Sequence, residues 1–202
     1  MTRVPFTQNY RWHLPLLLLV FCCSFFINNG AIFADIMESR NIITAREMVY
    51  DHNWLVPTMN GELRLEKPPL PTWIAAITEM ISPDNLPLQR AMAGFAAVML
   101  VLFFYKFATK LTDNRTYALV SSLVLCTSYN IILMGRTATW DIYCHAFMMG
   151  AIYYLYLALR QNPCKWTYFI GAGIFMGLSF LGKGPVSFYA LLLPFVCAYI
   201  LY

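Results

Sequence analysis

Six apolar blocks, each close to the length a helix needs to cross a bilayer, constrain this chain more than any other feature. They cover about residues 13–32, 88–108, 117–135, 141–159, 166–181 and 185–202. A bilayer's hydrocarbon core takes about 20 apolar residues to cross as a helix. The blocks are apolar all round rather than along one stripe, as buried or lipid-facing helices are. Composition agrees. Of the 202 residues, 59% are hydrophobic and only 12% charged, against about 25% charged in a soluble domain. The mean hydropathy is +0.56. The fold expected is all-α: a polytopic membrane protein of about six transmembrane helices.

The cations order these blocks across the membrane. Arg3 and Arg11 precede the first, Lys106, Lys110 and Arg115 lie between the second and third, and Arg160 and Lys165 lie between the fourth and fifth. Short loops rich in Lys and Arg stay cytoplasmic, so both termini are expected there. Residues 33–87 and the turns at 135–140 and 182–185 then face outward. The net charge of +4 reads as topology, not as affinity for nucleic acid. The first block lacks an A-x-A-like cleavage site and is expected to be an uncleaved span. Of six cysteines, five fall in apolar blocks and Cys164 in a loop. None shows CxxC or Cys/His ligand spacing, so they read as small packing residues. His52 and His145 also lack a partner at ligand spacing. Charges cluster at the outer ends of the spans rather than near their midpoints, which argues against a transporter.

The outer segment has its own organisation. DIMESRNIITAREMVYDHNW predicts an amphipathic helix over about 36–50 that can lie in the interface plane. A second short helix is expected over about 71–81, where proline suits the first turn. Between them runs NGELRLEKPPLPTW. Pro68 disfavours the helical conformation at Lys67, so Glu66 and Lys67 are carried on a stiff extended strut and point to opposite sides. One could hold a metal or an arginine while the other meets a phosphate. A proline-rich surface turn with solvated charges would look the same.

Other polar residues invite similar double readings. Asp35 and Glu38 are three apart and share a helix face. Two such acids suit general-base work or divalent-metal binding, and equally a helix cap with its third-position partner. Asp141 opens the fourth span as a cap or a cavity residue. Arg136 and Lys183 lie on the outer side, where topology needs no cation. Lys183 sits in GKGP, whose glycines let backbone approach a ligand, and is a candidate anion binder.

Taken together, these residues resemble the aminoarabinose-transferase-like membrane glycosyltransferases of the GT-C superfamily, relatives of the protein O-mannosyltransferases. The matching pieces are E-x-R at Glu38 to Arg40, AREM at Ala45 to Met48, NWLVP at Asn53 to Pro57, NG at Asn60 to Gly61 and EKPPL at Glu66 to Leu70. Asp141 and LGKGP at Leu181 to Pro185 follow in the same order.

The resemblance implies an inverting transfer of a sugar from a polyprenyl-phosphate donor to a glycolipid, glycan or protein acceptor, at the outer face of the cytoplasmic membrane. By position it implies that Arg40 and Lys67 contact the donor phosphate, with Lys183 a further phosphate ligand, and that Glu66 helps hold a divalent metal. The family carries Asp-Glu at the start of the first-loop helix, the Asp being catalytic. Here the pair is Met37-Glu38, with Asp35 two positions earlier, so Glu38 and Asp35 are both candidates for the catalytic carboxylate. Arg136 and Asp141 are candidates for the cavity wall. Family members are much longer, which implies that residues 1–202 are an N-terminal portion. That portion carries the donor-phosphate machinery on the outer loop 33–87 and lacks part of the lipid cavity.

Overall fold

The computed structural model describes residues 12–160 and 165–201. Arg3, Arg11, Cys164 and Tyr202 lie outside the described residues. Each of the six apolar blocks is helical. The first is α1, His13–Phe21, continued by a π-helical turn Cys22–Phe26. The outer segment supplies α2 (Ile36–Tyr50), a two-stranded hairpin β1 (Thr58–Met59) and β2 (Glu62–Leu63), and α3 (Leu70–Ile81). Then come α4 (Leu86–Thr112), α5 (Arg115–Cys126), α6 (Tyr129–Gly135), α7 (Asp141–Arg160), α8 (Trp166–Lys183) and α9 (Leu193–Leu201), the last preceded by a π-helical turn Phe188–Leu192.

By length and apolarity, α4 and α7 can each cross a membrane alone, and α5 with α6 makes a third span if counted as one. The core lies where α4 meets α7 and α1. Ala93, Ala96 and Ala97 of α4 pack with Ile142, Ala146 and Met148 of α7 and with Leu17, Phe21 and Phe25. Small residues let helix backbones approach closely, which is how apolar helices associate when lipid is as oily as they are. Gly182 shows the limit on α8: a Cβ there would stand 3.1 Å from the Cys144 backbone.

Two expected spans differ. The third is not one helix over 117–135. It bends by 66° between α5 and α6. Thr127 and Ser128 cause the break, because their hydroxyls bond back to the carbonyls of Leu123 and Leu125 at 2.8 Å, and Ser128 is extended. Such back-bonding offers the chain an alternative to the helical ladder. The first span ends at Phe26 rather than near Ile32. The carbonyls left open in its last turn and beyond it are taken by two arginines. Arg136 donates to Ser24, Ile27 and Asn28, and Arg90 to Asn29, Ile32 and Phe33.

The helix over 36–50 forms as expected, but its inward face is polar. Glu38, Asn41 and Thr44 are buried with Ala45 and Met48, while Ile36 is 73% exposed. Each inward polar group has a partner, so the apparent apolar stripe is overruled by hydrogen bonding. Asn41 donates to the Ala138 carbonyl and accepts from the Thr72 hydroxyl. The hairpin turns on Asn60 and Gly61, both with positive φ (56° and 77°), the pairing a two-residue hairpin prefers. Glu47 of α2 accepts from the Thr58 hydroxyl and from the N–H groups of Asn60 and Gly61. AREM and NG are thus one structural unit.

Candidate functional site

Asp35 and Glu38, expected on one face, diverge in environment. Asp35 is the N-cap of α2: its carboxylate accepts from the Glu38 N–H at 2.7 Å, and Glu38 reaches back to the Asp35 N–H at 3.3 Å. This capping box satisfies two otherwise open helix donors. Beyond the box, Glu38 is 1% exposed. Arg90 meets it with two nitrogens, Nε at 2.9 Å and Nη2 at 2.7 Å, and the Ala138 N–H donates at 2.8 Å. A carboxylate so surrounded joins α2, α4 and the α6–α7 turn and leaves little capacity to receive a substrate proton. Asp35 is exposed.

The second half of the site is cationic. EKPP and GKGP, more than a hundred residues apart in sequence, face one cleft of about 490 Å³ lined by Leu65 to Pro68 and Lys183 to Val186. Lys183 ends α8, and Gly184 follows with φ +68°, a turn open to glycine and poorly open to other residues. Its ammonium pairs with Asp141, which begins α7. Four residues after Lys183, Ser187 is fully buried between Cys144 Sγ (2.7 Å) and His145 Nδ1 (2.9 Å). The N-terminal face of α7 therefore clamps the GKGP turn on both sides. His145 is engaged there with a serine.

Lys67 is half-buried, and Arg40 and Glu66 are exposed. Among the described residues neither the Lys67 ammonium nor the Arg40 guanidinium makes a hydrogen bond or ion pair. Arg64 lies behind them, 8% exposed. Its Nη1 donates to the Arg40 carbonyl (2.6 Å) and the Thr44 hydroxyl (2.7 Å), and its guanidinium stands 5.5 Å from the Trp140 ring centre. Burial lowers the pKa of this guanidinium; Glu66 opposes the shift and Arg40 adds to it. Arg40, Arg64 and Glu66 thus share one electrostatic neighbourhood, and Lys67 joins Arg64 along one small void.

Arg136, expected at the cavity wall, instead straps the end of the first span by its carbonyls. Asp141 lies beside the cleft through Lys183. Sequence reasoning missed Arg90, Arg64 and Trp140. Arg90 carried a usable signal, since an arginine in the first turns of a long apolar block needs an acid partner. Among the described residues no group of three or more His, Cys, Asp and Glu side chains is placed to share a metal ion. Glu66 offers one carboxylate. A larger cavity of about 610 Å³ lies at the other end of the helices, against Phe107, Tyr156, Arg160 and Phe195, and none of the motif residues lines it.

The sequence profile of the dolichyl-phosphate-mannose-protein mannosyltransferase family matches residues 66–202. An uncharacterized protein of Aquifex aeolicus is 27% identical over 181 residues, which is 87% of this chain and 34% of that one. The undecaprenyl phosphate-alpha-4-amino-4-deoxy-L-arabinose arabinosyl transferase of Shewanella sediminis is 32% identical over 165 residues, 79% of this chain and 29% of that one. The crystal structure of ArnT from Cupriavidus metallidurans bound to undecaprenyl phosphate superimposes with a TM-score of 0.73 at 16% identity, covering 90% of this chain and 34% of that one. This chain thus spans about a third of the length of the relatives it matches.

Proposed function

Because the chain belongs to the dolichyl-phosphate-mannose-protein mannosyltransferase family, we propose that it serves a membrane glycosyltransferase that moves a sugar from a polyprenyl-phosphate donor to a glycolipid, glycan or protein acceptor at the outer face of the cytoplasmic membrane. The observation that carries this reading is the cleft shared by Lys67 and Lys183. Transfer from a lipid phosphate needs its charge stabilised as the sugar departs, and fixed cations do this best where water is excluded. Lys67 supplies a point charge on a stiff strut, and Arg40 a planar fork suited to two phosphate oxygens. Lys183 meets the phosphate in competition with Asp141. A divalent ion here would draw on Glu66 and on the donor's own phosphate oxygens, a common arrangement for hard cations. Asp35, exposed at the head of α2, is the carboxylate left to receive the acceptor's proton.

One observation favours a second reading, a member that binds lipid phosphate without turnover. Glu38 is already engaged by Arg90 and Ala138, and by the resemblance Met37 stands where the family carries its catalytic Asp. Titrating the full-length protein with farnesyl phosphate, and separately assaying sugar release from a polyprenyl-phosphate sugar, decides between the two. Binding with release supports the enzyme, and binding without release supports the second reading. No binding sinks both.

A further inference from the structure

Behind Lys67 lies a small void of about 10 Å³, walled by Arg64, Lys67, Trp140, Thr44 and Thr72 among others. That is room for about one oxygen-sized atom. The polar groups around it are unequal in what they still offer. The Thr44 hydroxyl donates to the Arg40 carbonyl at 2.8 Å, and the Thr72 hydroxyl to Asn41 at 2.8 Å. Arg64 uses Nη1 twice, which leaves its other N–H groups open. Trp140 is 2% exposed, yet its indole N–H has no hydrogen-bond partner among the described residues. A buried polar group without a partner costs about 1–3 kcal/mol, so its presence asks for a missing acceptor.

The charged groups and the indole still open to the void are donors: an ammonium, a guanidinium and an indole N–H. A water there could donate only to the Thr44 and Thr72 hydroxyl oxygens. An anionic oxygen has no protons to place and gains in addition from both cations. We propose that Trp140, Arg64 and Lys67 form a subsite for one non-bridging phosphate oxygen, with the Trp140 N–H as its neutral donor. Lys67 lines both the void and the larger cleft, so the phosphate would sit at their junction with one oxygen turned inward. The proposal rests on the reading of that cleft as a lipid-phosphate site. It adds two residues, Trp140 and Arg64, that none of the motifs contains.

The test is calorimetric titration of the full-length protein with farnesyl phosphate, inorganic phosphate and farnesol. Trp140→Phe keeps the ring over Arg64 and deletes the N–H. It should weaken farnesyl phosphate about tenfold or more and leave farnesol unchanged. An equal loss for inorganic phosphate also supports the subsite and makes free phosphate a second source of the oxygen. If Lys67→Ala weakens farnesyl phosphate while Trp140→Phe does not, the void holds water only and the inference is overturned, though the cleft reading stands. If the wild type binds neither phosphate, both fall. Should Trp140→Phe fail to insert, Arg64→Gln carries the test: a loss of about tenfold or more supports the subsite, and unchanged affinity overturns it.

Discussion

Glu38 and Arg90 form a buried bidentate ion pair, with side chains 1% and 5% exposed and a closest approach of 2.7 Å. It ties the head of α2 to the start of α4. Removing one partner of such a pair leaves a bare charge in a low-dielectric setting and commonly costs about 3–5 kcal/mol. Arg90→Met is therefore expected to lower unfolding stability in detergent by about that much, and Glu38→Gln to lower it substantially. The double variant should recover part of the loss. If Glu38→Gln keeps full stability and loses only turnover, the carboxylate is catalytic rather than structural.

Asp35→Asn separates capping from chemistry. Asn caps helices as well as Asp does, so the variant should fold normally. Losing a general base commonly costs about 10²–10⁴ in rate, and turnover by the full-length protein should fall within that range. Wild-type turnover would leave Asp35 as a cap alone.

The Glu47 carboxylate binds the hairpin to α2. Burial raises its pKa, but the Thr58 hydroxyl and the Asn60 and Gly61 N–H groups outweigh this, and the net shift is downward from 4.5. A depressed folded pKa means the contribution is present above 4.5 and fades as pH falls through the folded value. Protection of the hairpin amides against exchange should accordingly fall as the pH drops below 4.5, and Glu47→Gln should show the same looseness at pH 7. Uniform protection across that range would remove Glu47 from its role as the hairpin's anchor.

Some of this was legible in the sequence and some was not. Helix α2 followed from its composition, and the Asn60–Gly61 hairpin contains a strong local turn signal, because both depend on neighbours in the chain. The break at Thr127–Ser128 was written there too, but two hydroxyls inside an apolar block look like ordinary span residues until their back-bonding is seen. Contacts across the fold were beyond reach. Nothing in VSFYA marks Ser187 as bonded to His145, and nothing near Arg64 predicts Trp140 against it. EKPP and GKGP could be singled out separately, but their meeting depends on how α3, α7 and α8 pack.

Orientation is the next expectation. Loop 33–87 and the turns at Arg136 and Lys183 gather at one end, through Glu38 to Ala138 and the shared cleft. The Arg160 contacts to Lys110 and Asp113 mark the other. An impermeant thiol reagent should label Glu62→Cys in intact cells. Glu62 suits this because it is exposed and avoids the positive-φ positions beside it. Labelling only after lysis would invert the topology and take the outer-face reading with it.

Affinity for a polyprenyl phosphate, compared across wild type, Lys67→Ala and Lys110→Ala of the full-length protein, tests the central claim most directly. Lys110 lies in the last turn of α4 and does not line the cleft, so its loss controls for charge alone. A hydrogen bond to a charged group is worth about 1.5–3 kcal/mol. Lys67→Ala should weaken binding by that amount, Lys67→Arg should restore it only in part because the planar guanidinium needs a different approach, and Lys110→Ala should match the wild type. Equal affinity for Lys67→Ala and wild type would contradict a phosphate role for Lys67 and return EKPP to a surface turn.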